Sequence, residues 1–295
     1  MRNRLMILFC LSLLALPAMA CTITLPAVQT QVGEIHKESV SVPLDGATAA
    51  DVNVAFGAGE LRLRPGVEEG LLEANFTYNI DKLKPVVNKD RRGDRLAVSL
   101  RLKPEGLSFN FGDKTRNEWD IRLSDRVPLS LNLDLGAAKG DLDLGGLRLT
   151  DARIKVGAAE AEIEWNKPNP ELLDLLDVDT GASNLKMRKL GNAHFDQMNF
   201  VGGAGNFDLD FSGDWQESAR VSIDAGLSNL TLILPRDVGV KVDTGDRALA
   251  SVNADGFRRQ GTAWVNDAYG QSRLELIITA NIGLGNLTLI ERDGK

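Results

Sequence analysis

Val178-Asp-Thr-Gly-Ala-Ser-Asn-Leu-Lys-Met187 and Ile223-Asp-Ala-Gly-Leu-Ser-Asn-Leu-Thr-Leu232 are two versions of one phrase. Its glycine recurs as Gly57, Gly136, Gly157, Gly181, Gly203, Gly226, Gly245 and Gly283. Successive spacings from Gly136 to Gly245 are 21, 24, 22, 23 and 19 residues. A period near 22 marks stacked supersecondary units. At offsets −5, −3 and −1 from these glycines, only Thr180 and Thr244 of 24 residues are polar. At −4 and −2, only Ala55 and Val201 of 16 are apolar. Period two means strands with one buried and one wet face.

Alternation resumes after the glycine. Leu61 and Leu63, Leu185 and Met187, Phe207 and Leu209, Leu230 and Leu232, and Leu287 and Leu289 take one side. The unit is therefore strand, glycine corner, strand, return. One copy has no partner for its apolar edge, whereas stacked copies share a continuous core. The period is short for a βαβ unit. These features predict an all-β fold, a β-solenoid-like stack of ~22-residue strand-Gly-strand repeats. A meander of antiparallel hairpins is the rival, which alternation and tight corners alone do not separate.

The period fails between Gly57 and Gly136. That interval holds strand-like runs at Leu72–Ile80, Arg95–Leu102 and Trp119–Leu123, separated by glycine and proline. The expected organisation is an N-terminal β subdomain at 35–128, a repeat domain at 129–290 and a charged tail at 291–295. Pro168-Asn169-Pro170 before Glu171–Leu176 predicts one short helix, with Asn169 as its cap.

Arg2 and Arg4, the apolar run Leu5–Leu16 and Ala18-Met19-Ala20 read as a signal peptide over 1–20. A linker at 21–34 follows. Of the two cysteines, Cys10 lies in the signal segment and Cys21 stands just after the cleavage site. A lone thiol in an oxidising compartment is unusual. Its position resembles that of a bacterial lipoprotein, which implies lipidation at Cys21 and a periplasmic or outer-membrane-anchored location. Ala-Met-Ala equally fits ordinary signal peptidase and a soluble exported protein. Removing residues 1–20 takes two arginines and moves the net charge from −7 to −9. Nucleic acid is therefore not an expected partner, because phosphate contact needs clustered Lys and Arg.

His36 and His194 are the only histidines. No paired Cys or His-x-x-x-His accompanies them, so no metal and no cofactor is expected. No Gly-x-Ser-x-Gly and no P-loop is present. Asn184, Asn206, Asn229 and Asn286 each lie three residues after a glycine and predict an amide ladder at the corner. Asp134, Asp179, Asp224 and Asp243 each lie two residues before one and predict an acidic stripe interrupted by Lys155 and Val201, first of all a soluble face that resists edge pairing and in principle one that suits Ca²⁺. Trp119, Trp165, Trp215 and Trp264 are expected as exposed aromatics at strand ends or loops, where they would stack on sugars or a partner, although Trp165 continues the inward frame of Ala161 and Ile163 and reads as core or end-cap. Trp215, in the turn Gly213–Gln216, is the candidate binding residue.

Two stretches resemble a known family. They are Leu227-Ser-Asn-Leu-Thr-Leu-Ile-Leu-Pro-Arg-Asp-Val-Gly-Val-Lys-Val-Asp-Thr-Gly245 and Leu274-Glu-Leu-Ile-Ile-Thr-Ala-Asn-Ile-Gly-Leu-Gly-Asn-Leu-Thr-Leu289. They resemble the toast-rack domains of bacterial cell-envelope proteins, related to LiaF-like C-terminal domains and adhesin-like β-solenoids. The resemblance covers roughly 129–290, and 35–128 resembles the companion N-terminal segment. It implies no catalytic residues. LiaF-like proteins usually carry transmembrane helices before this domain, and here a signal segment stands instead.

The expected function is a non-enzymatic exported envelope protein, a scaffold or binding module linked to envelope stress response or adhesion. Its partner would be an envelope protein or polysaccharide. The alternative is a polysaccharide-active enzyme, which requires Asp113, Glu118 or Asp120 to converge in a cleft.

Overall fold

A computed structural model describes residues 32–103, 112, 114–245 and 251–293. The signal segment, Cys10, Cys21, Asp113 and the last two residues of the tail lie outside the described residues. Seventeen strands are described. The first six are β1 His36–Val42, β2 Ala49–Pro65, β3 Leu72–Tyr78, β4 Pro85–Arg92, β5 Arg95–Leu102 and β6 Asn117–Leu123. The central ones are β7 Leu129–Asp143, β8 Leu149–Val156, β9 Glu160–Glu164, β10 Leu173–Arg188, β11 Phe195–Asp210 and β12 Ala219–Pro235. The last are β13 Gly239–Asp243, β14 Ser251–Ala254, β15 Arg258–Gln260, β16 Ala263–Val265 and β17 Glu275–Arg292.

Strand and corner merge into one long bent strand per rung. In β10, Thr180 and Ser183 are both buried while Gly181 and Ala182 between them are exposed. Two consecutive outward residues break the alternation once. Both halves of the strand then turn their apolar side to the same interior. Parallel pairing keeps equivalent residues in line: Val178, Phe200, Ile223 and Ala280 form one row, and Leu185, Phe207, Leu230 and Leu287 another. All eight are buried, and each full-sized aliphatic or aromatic contributes about 1.5–3 kcal/mol.

The repeated glycine is explained by close approach. A Cβ built on Gly136 would lie 2.2 Å from the carbonyl oxygen of Gly57. On Gly203 it would lie 2.7 Å from that of Gly181, and on Gly226 2.7 Å from that of Gly203. The rungs stack too tightly at this line for any side chain. The second corner glycine has a different reason. Gly205 and Gly285 adopt φ of +154° and +137°, and a Cβ on either would sit 1.8 Å from a serine carbonyl of the rung below.

The rungs lie side by side in the order β5 with β6, β2, β7, β8 with β9, β10, β11, β12, β17, then β13 with β14. The stack is thus parallel, as a β-solenoid requires. Antiparallel pairing is confined to the two ends, in β1–β3, β3–β6, β4–β5, β13–β16 and β15–β16. The ladder and the core pass residue 128 without a break, since β2 lies against β7 from Ala50 to Leu63.

Two expectations need correction. The regular array does not run on to Gly245. That glycine leaves the spine in a turn with φ +64°, its N–H bonded to Asp243 Oδ1 at 3.0 Å. Its place beside Gly226 is taken by Gly283, whose Cβ would meet the Gly226 oxygen at 2.9 Å. The chain's last strand therefore inserts between β12 and β13. Nor does a helix form over 169–176, because Leu173 already opens β10. Asn169 is buried and bridges coils instead. Its Nδ2 donates to the carbonyls of Leu149 (2.9 Å) and Ala193 (3.2 Å), and its Oδ1 accepts from the Leu149 N–H (3.0 Å). Those backbone groups would otherwise be buried unpaired, which makes this use of Asn169 worth more than a cap.

Candidate functional site

An open groove of about 470 Å³ lies on the outer face of the second half-strands. Its floor is the backbone at Leu61, Gly140 and Ala161. The equivalent inward slot holds Leu61, Leu185, Phe207, Leu230 and Leu287 on other rungs. A Cβ on Gly140 would lie 2.8 Å from Leu135 Cδ2. The tip of Leu135 fills the inward space that a side chain of the slot takes on other rungs.

Eight outward side chains from four rungs surround the hollow: Glu60 and Arg62, Lys139 and Asp141, Glu160 and Glu162, Asn184 and Lys186. They stand in register, with Glu60, Lys139, Glu160 and Asn184 in one row and Arg62, Asp141, Glu162 and Lys186 in the next. Neighbouring rungs are about 4.8 Å apart. Glu162 is bound by Arg188 from below the groove, which also holds the guanidinium pKa above its ordinary value. Glu60 makes only a long contact of 3.9 Å with Arg62. Lys139, Asp141, Glu160 and Lys186 form no ion pair among the described residues.

The amide ladder ends at this groove. Asn286 Nδ2 donates to Asn229 Oδ1 (2.9 Å), Asn229 to Asn206 (3.0 Å) and Asn206 to Asn184 (2.9 Å). Ser251 closes the far end by donating to Asn286. Every bond points the same way, so the ladder leaves the Asn184 Nδ2 donor facing the hollow beside Glu160.

The acidic row is interrupted. Asp134 is followed by Lys155, Asp179, Val201, Asp224 and Asn281 across the sheet. Successive acids therefore stand two strands apart, about 10 Å. Asp243 lies opposite Thr279 and is off the row. Its carboxyl is held below the ordinary range mainly by the Gly245 N–H. No group of three or more metal-ligating side chains occurs among the described residues. Val201, Leu227 and Leu284 are 47%, 59% and 57% exposed, and they make the corner ridge of the later rungs apolar.

Trp215 is half-buried. Its Nε1 donates to the Phe211 carbonyl at 2.8 Å, and its ring meets Phe195 edge-on at 5.7 Å. The rest of the ring is partly exposed. Trp119 is not at the surface as expected; it packs between Phe56 and Phe76, and Nε1 donates to Asn117 Oδ1 at 3.0 Å. Trp165 is core, as its frame predicted. Trp264 is half-buried under Arg259, whose guanidinium lies 5.9 Å from the ring. Glu118 pairs with Arg116 at 2.8 Å, and Asp120 lies two residues on along the same outward face of β6.

A second cluster lies at the start of the stack. Tyr78 donates to Glu38 Oε1 at 2.6 Å, Lys84 Nζ approaches the same oxygen at 2.9 Å, and His36 stacks on the tyrosine ring at 5.3 Å. Burial and then the Glu38 bond push the Tyr78 phenol up to about 12. The Tyr78 bond and then that of Lys84 hold Glu38 below its usual range. His194 sits in a left-handed turn with Nδ1 3.3 Å from the Asn169 oxygen.

Under the groove the sequence carries glycine and alanine in a slot that elsewhere holds Leu or Phe. Strand alternation alone does not flag this, because both residues still count as apolar.

A parallel stack of bent strands around one core, with antiparallel caps, defines a repeat β protein of the toast-rack class. The family model described as the N-terminal domain of toast_rack, DUF2154, matches residues 31–175 and 169–233, and the chain belongs to this family. Among solved structures it is similar to a candidate cell adhesion protein from Clostridium sporogenes. That protein is 22% identical, with 88% of this chain and 100% of that one covered and a TM-score of 0.46. A candidate adhesin from Bacteroides fragilis is 9% identical, over 87% of this chain and 97% of that one, with a TM-score of 0.35. A candidate lipid-binding protein from Parabacteroides distasonis is 8% identical, over 88% and 95%, with a TM-score of 0.38. No curated protein matches the chain. No helix among the described residues is long and apolar enough to cross a membrane.

Proposed function

We propose that the protein is an exported, non-enzymatic module of the bacterial envelope, tethered by lipid at Cys21, that works by binding a partner on its outer face. The groove carries this reading. It presents charged and amide groups of both polarities on a rigid parallel sheet, with four of its charges not spent on one another. Such a face suits reversible polar recognition of an envelope protein or polysaccharide. The signal-like start, with Cys21 directly after Ala18-Met19-Ala20, supports export and the tether.

Mass spectrometry of the N-terminal peptide from the membrane fraction tests the tether. A diacylglycerol-modified Cys21, lost in Cys21→Ser together with membrane association, is the expected result. An unmodified Cys21 in the soluble fraction would end that part of the reading. Crosslinking in intact envelope tests the rest, and recovery of no envelope component would count against it.

A further inference from the structure

We propose that residues 22–28 of this chain fold back as a strap into the cleft between β1 and β4, with Ile23 and Leu25 seated against its apolar walls, and so close the open start of the stack. The inference goes beyond the binding-module reading and holds whether or not Cys21 carries lipid.

The cleft is the first part of the argument. Among the described residues β1 pairs only with β3 and β4 only with β5, so each leaves one edge without a neighbour. The two strands are tied together at both ends. Near their starts Lys84 Nζ lies 2.9 Å from Glu38 Oε1, and near their ends Arg91 donates to the Asp45 carbonyl at 2.8 Å. Between the ties lies a hollow of about 300 Å³ lined by Val40, Val42, Phe76, Pro85 and Val87. Val40 and Val87 pack against the end of the core and are only half-buried. Inner rungs are flanked on both sides, and here one flank is open.

The occupant follows from the chain that precedes Val32. Its place is right, because the Gly33 N–H donates to the Asn79 carbonyl at 2.9 Å. That is one residue past Tyr78, whose hydroxyl meets Glu38 at the mouth of the cleft. Its length suffices. β1 spans about 23 Å and residues 21–31 reach about 36 Å when extended, which leaves Gln29–Gln31 for the reversal. Its chemistry matches. Residues 21–31 hold no charged side chain, in a chain of which 25% is charged. Ile23, Leu25 and Ala27 alternate with Thr22, Thr24 and Pro26, the pattern of an extended segment with one apolar side. Pro26 has no N–H and suits a position at a sheet edge. Val32 and Ile35, 42% and 51% exposed, add apolar surface at the point of entry.

A strand from another protein competes poorly, because a segment joined to the cleft by a few residues acts at an effective concentration on the order of millimolar. With the strap seated, residue 21 stands at the Asp45 end of the cleft. A lipid there would hold the first rungs close to the membrane instead of leaving them on a slack linker.

The test uses the chain from residue 21 with Cys21→Ser, so that neither its thiol nor a lipid interferes. Leu25→Cys combined with Val87→Cys or with Val40→Cys should form an intramolecular disulfide under oxidised glutathione, since that bond needs Cα atoms within about 7 Å. Leu25→Cys with Val252→Cys, at the far end of the stack, should not. The amides of residues 22–28 should also exchange at least tenfold more slowly than in the variant Ile23→Asp/Leu25→Asp. The proposal is overturned if neither cleft pair is trapped, if the far pair is trapped equally well, or if exchange over 22–28 is the same in both chains. Trapping as a covalent dimer would assign the cleft to the segment of a second copy and overturn the strap. None of these outcomes touches crosslinking in the envelope, so the binding-module reading stands or falls separately.

Discussion

The side chains of Asn286 and Asn229 are joined by a hydrogen bond of 2.9 Å although 57 residues separate them. Ladder neighbours elsewhere are 22 or 23 residues apart. The chain has gone past its own next rung, built β13 to β16, and come back to fill the vacancy beside β12. Removing the final strand would therefore not trim an end. A chain stopped after Asp243 would leave one edge of β12 unpaired along its whole length and β13 without its parallel partner. We expect such a protein to aggregate and to be digested from β11 onward, as limited proteolysis would show. A trimmed but otherwise protected core would contradict this.

The glycine spine makes a graded prediction. Gly226→Ala places a methyl 2.7 Å from a backbone oxygen that has no room to move. It should destabilise by about 1–3 kcal/mol or more, as overpacking does. Gly57→Ala meets only the tip of Leu102, at 3.3 Å, and should cost clearly less. Thermal unfolding of the two variants side by side checks the order.

Within the amide ladder, Asn206 both donates and accepts. Asn206→Ala removes two hydrogen bonds at an exposed corner. Each is worth about 1 kcal/mol net, so a loss of about 2 kcal/mol is an upper bound and denaturant unfolding should show less than that. Asn184→Ala removes one bond and should cost about half as much.

The Glu38–Tyr78 pair predicts sensitivity at both ends of the pH scale. Glu38 is held below its ordinary 4.5 by the Tyr78 and Lys84 bonds. Its contribution is present above that value and lost as pH falls through the depressed folded value. Tyr78 is raised from 10.0 to about 12. Its contribution is intact below 10 and lost as pH rises through about 12. Tyr78→Phe should remove the late phenolate absorbance in an alkaline titration and shift the acid unfolding curve. An unchanged alkaline titration would show that the phenol is not protected.

Face and spacing were legible in the sequence, and partnership was not. Period two assigned Val178, Phe200 and Ile223 to the interior because alternation is a property of each strand alone. The Asn184–Asn286 ladder was legible for the same reason, since a fixed offset from the glycine puts each amide at the same corner. Which rung lies beside which is decided by pairing over long distances. Gly245 carries the same local signature as Gly283, yet only the latter joins the spine. Leu172, Leu173, Leu175 and Leu176 fit a short helix and a strand about equally well. The choice was made by Asn169, whose buried bridges to Leu149 and Ala193 are invisible without the neighbouring coils. Trp119 was misplaced because its own segment says nothing of β2 and β3, whose Phe56 and Phe76 enclose it. The groove brings together side chains of four rungs, a neighbourhood that hydrophobic pattern does not encode.

The insertion of β17 also sets a timetable. A chain emerging from its N-terminus can zip β7 through β12 onto one another as each arrives, every new rung closing a short loop. β13 and β14 must wait, because the surface they bind is the last segment to be made. Until then the nascent protein carries an open, apolar-backed seam, and its closure is the step at which a chaperone or a translocation partner would have most to protect.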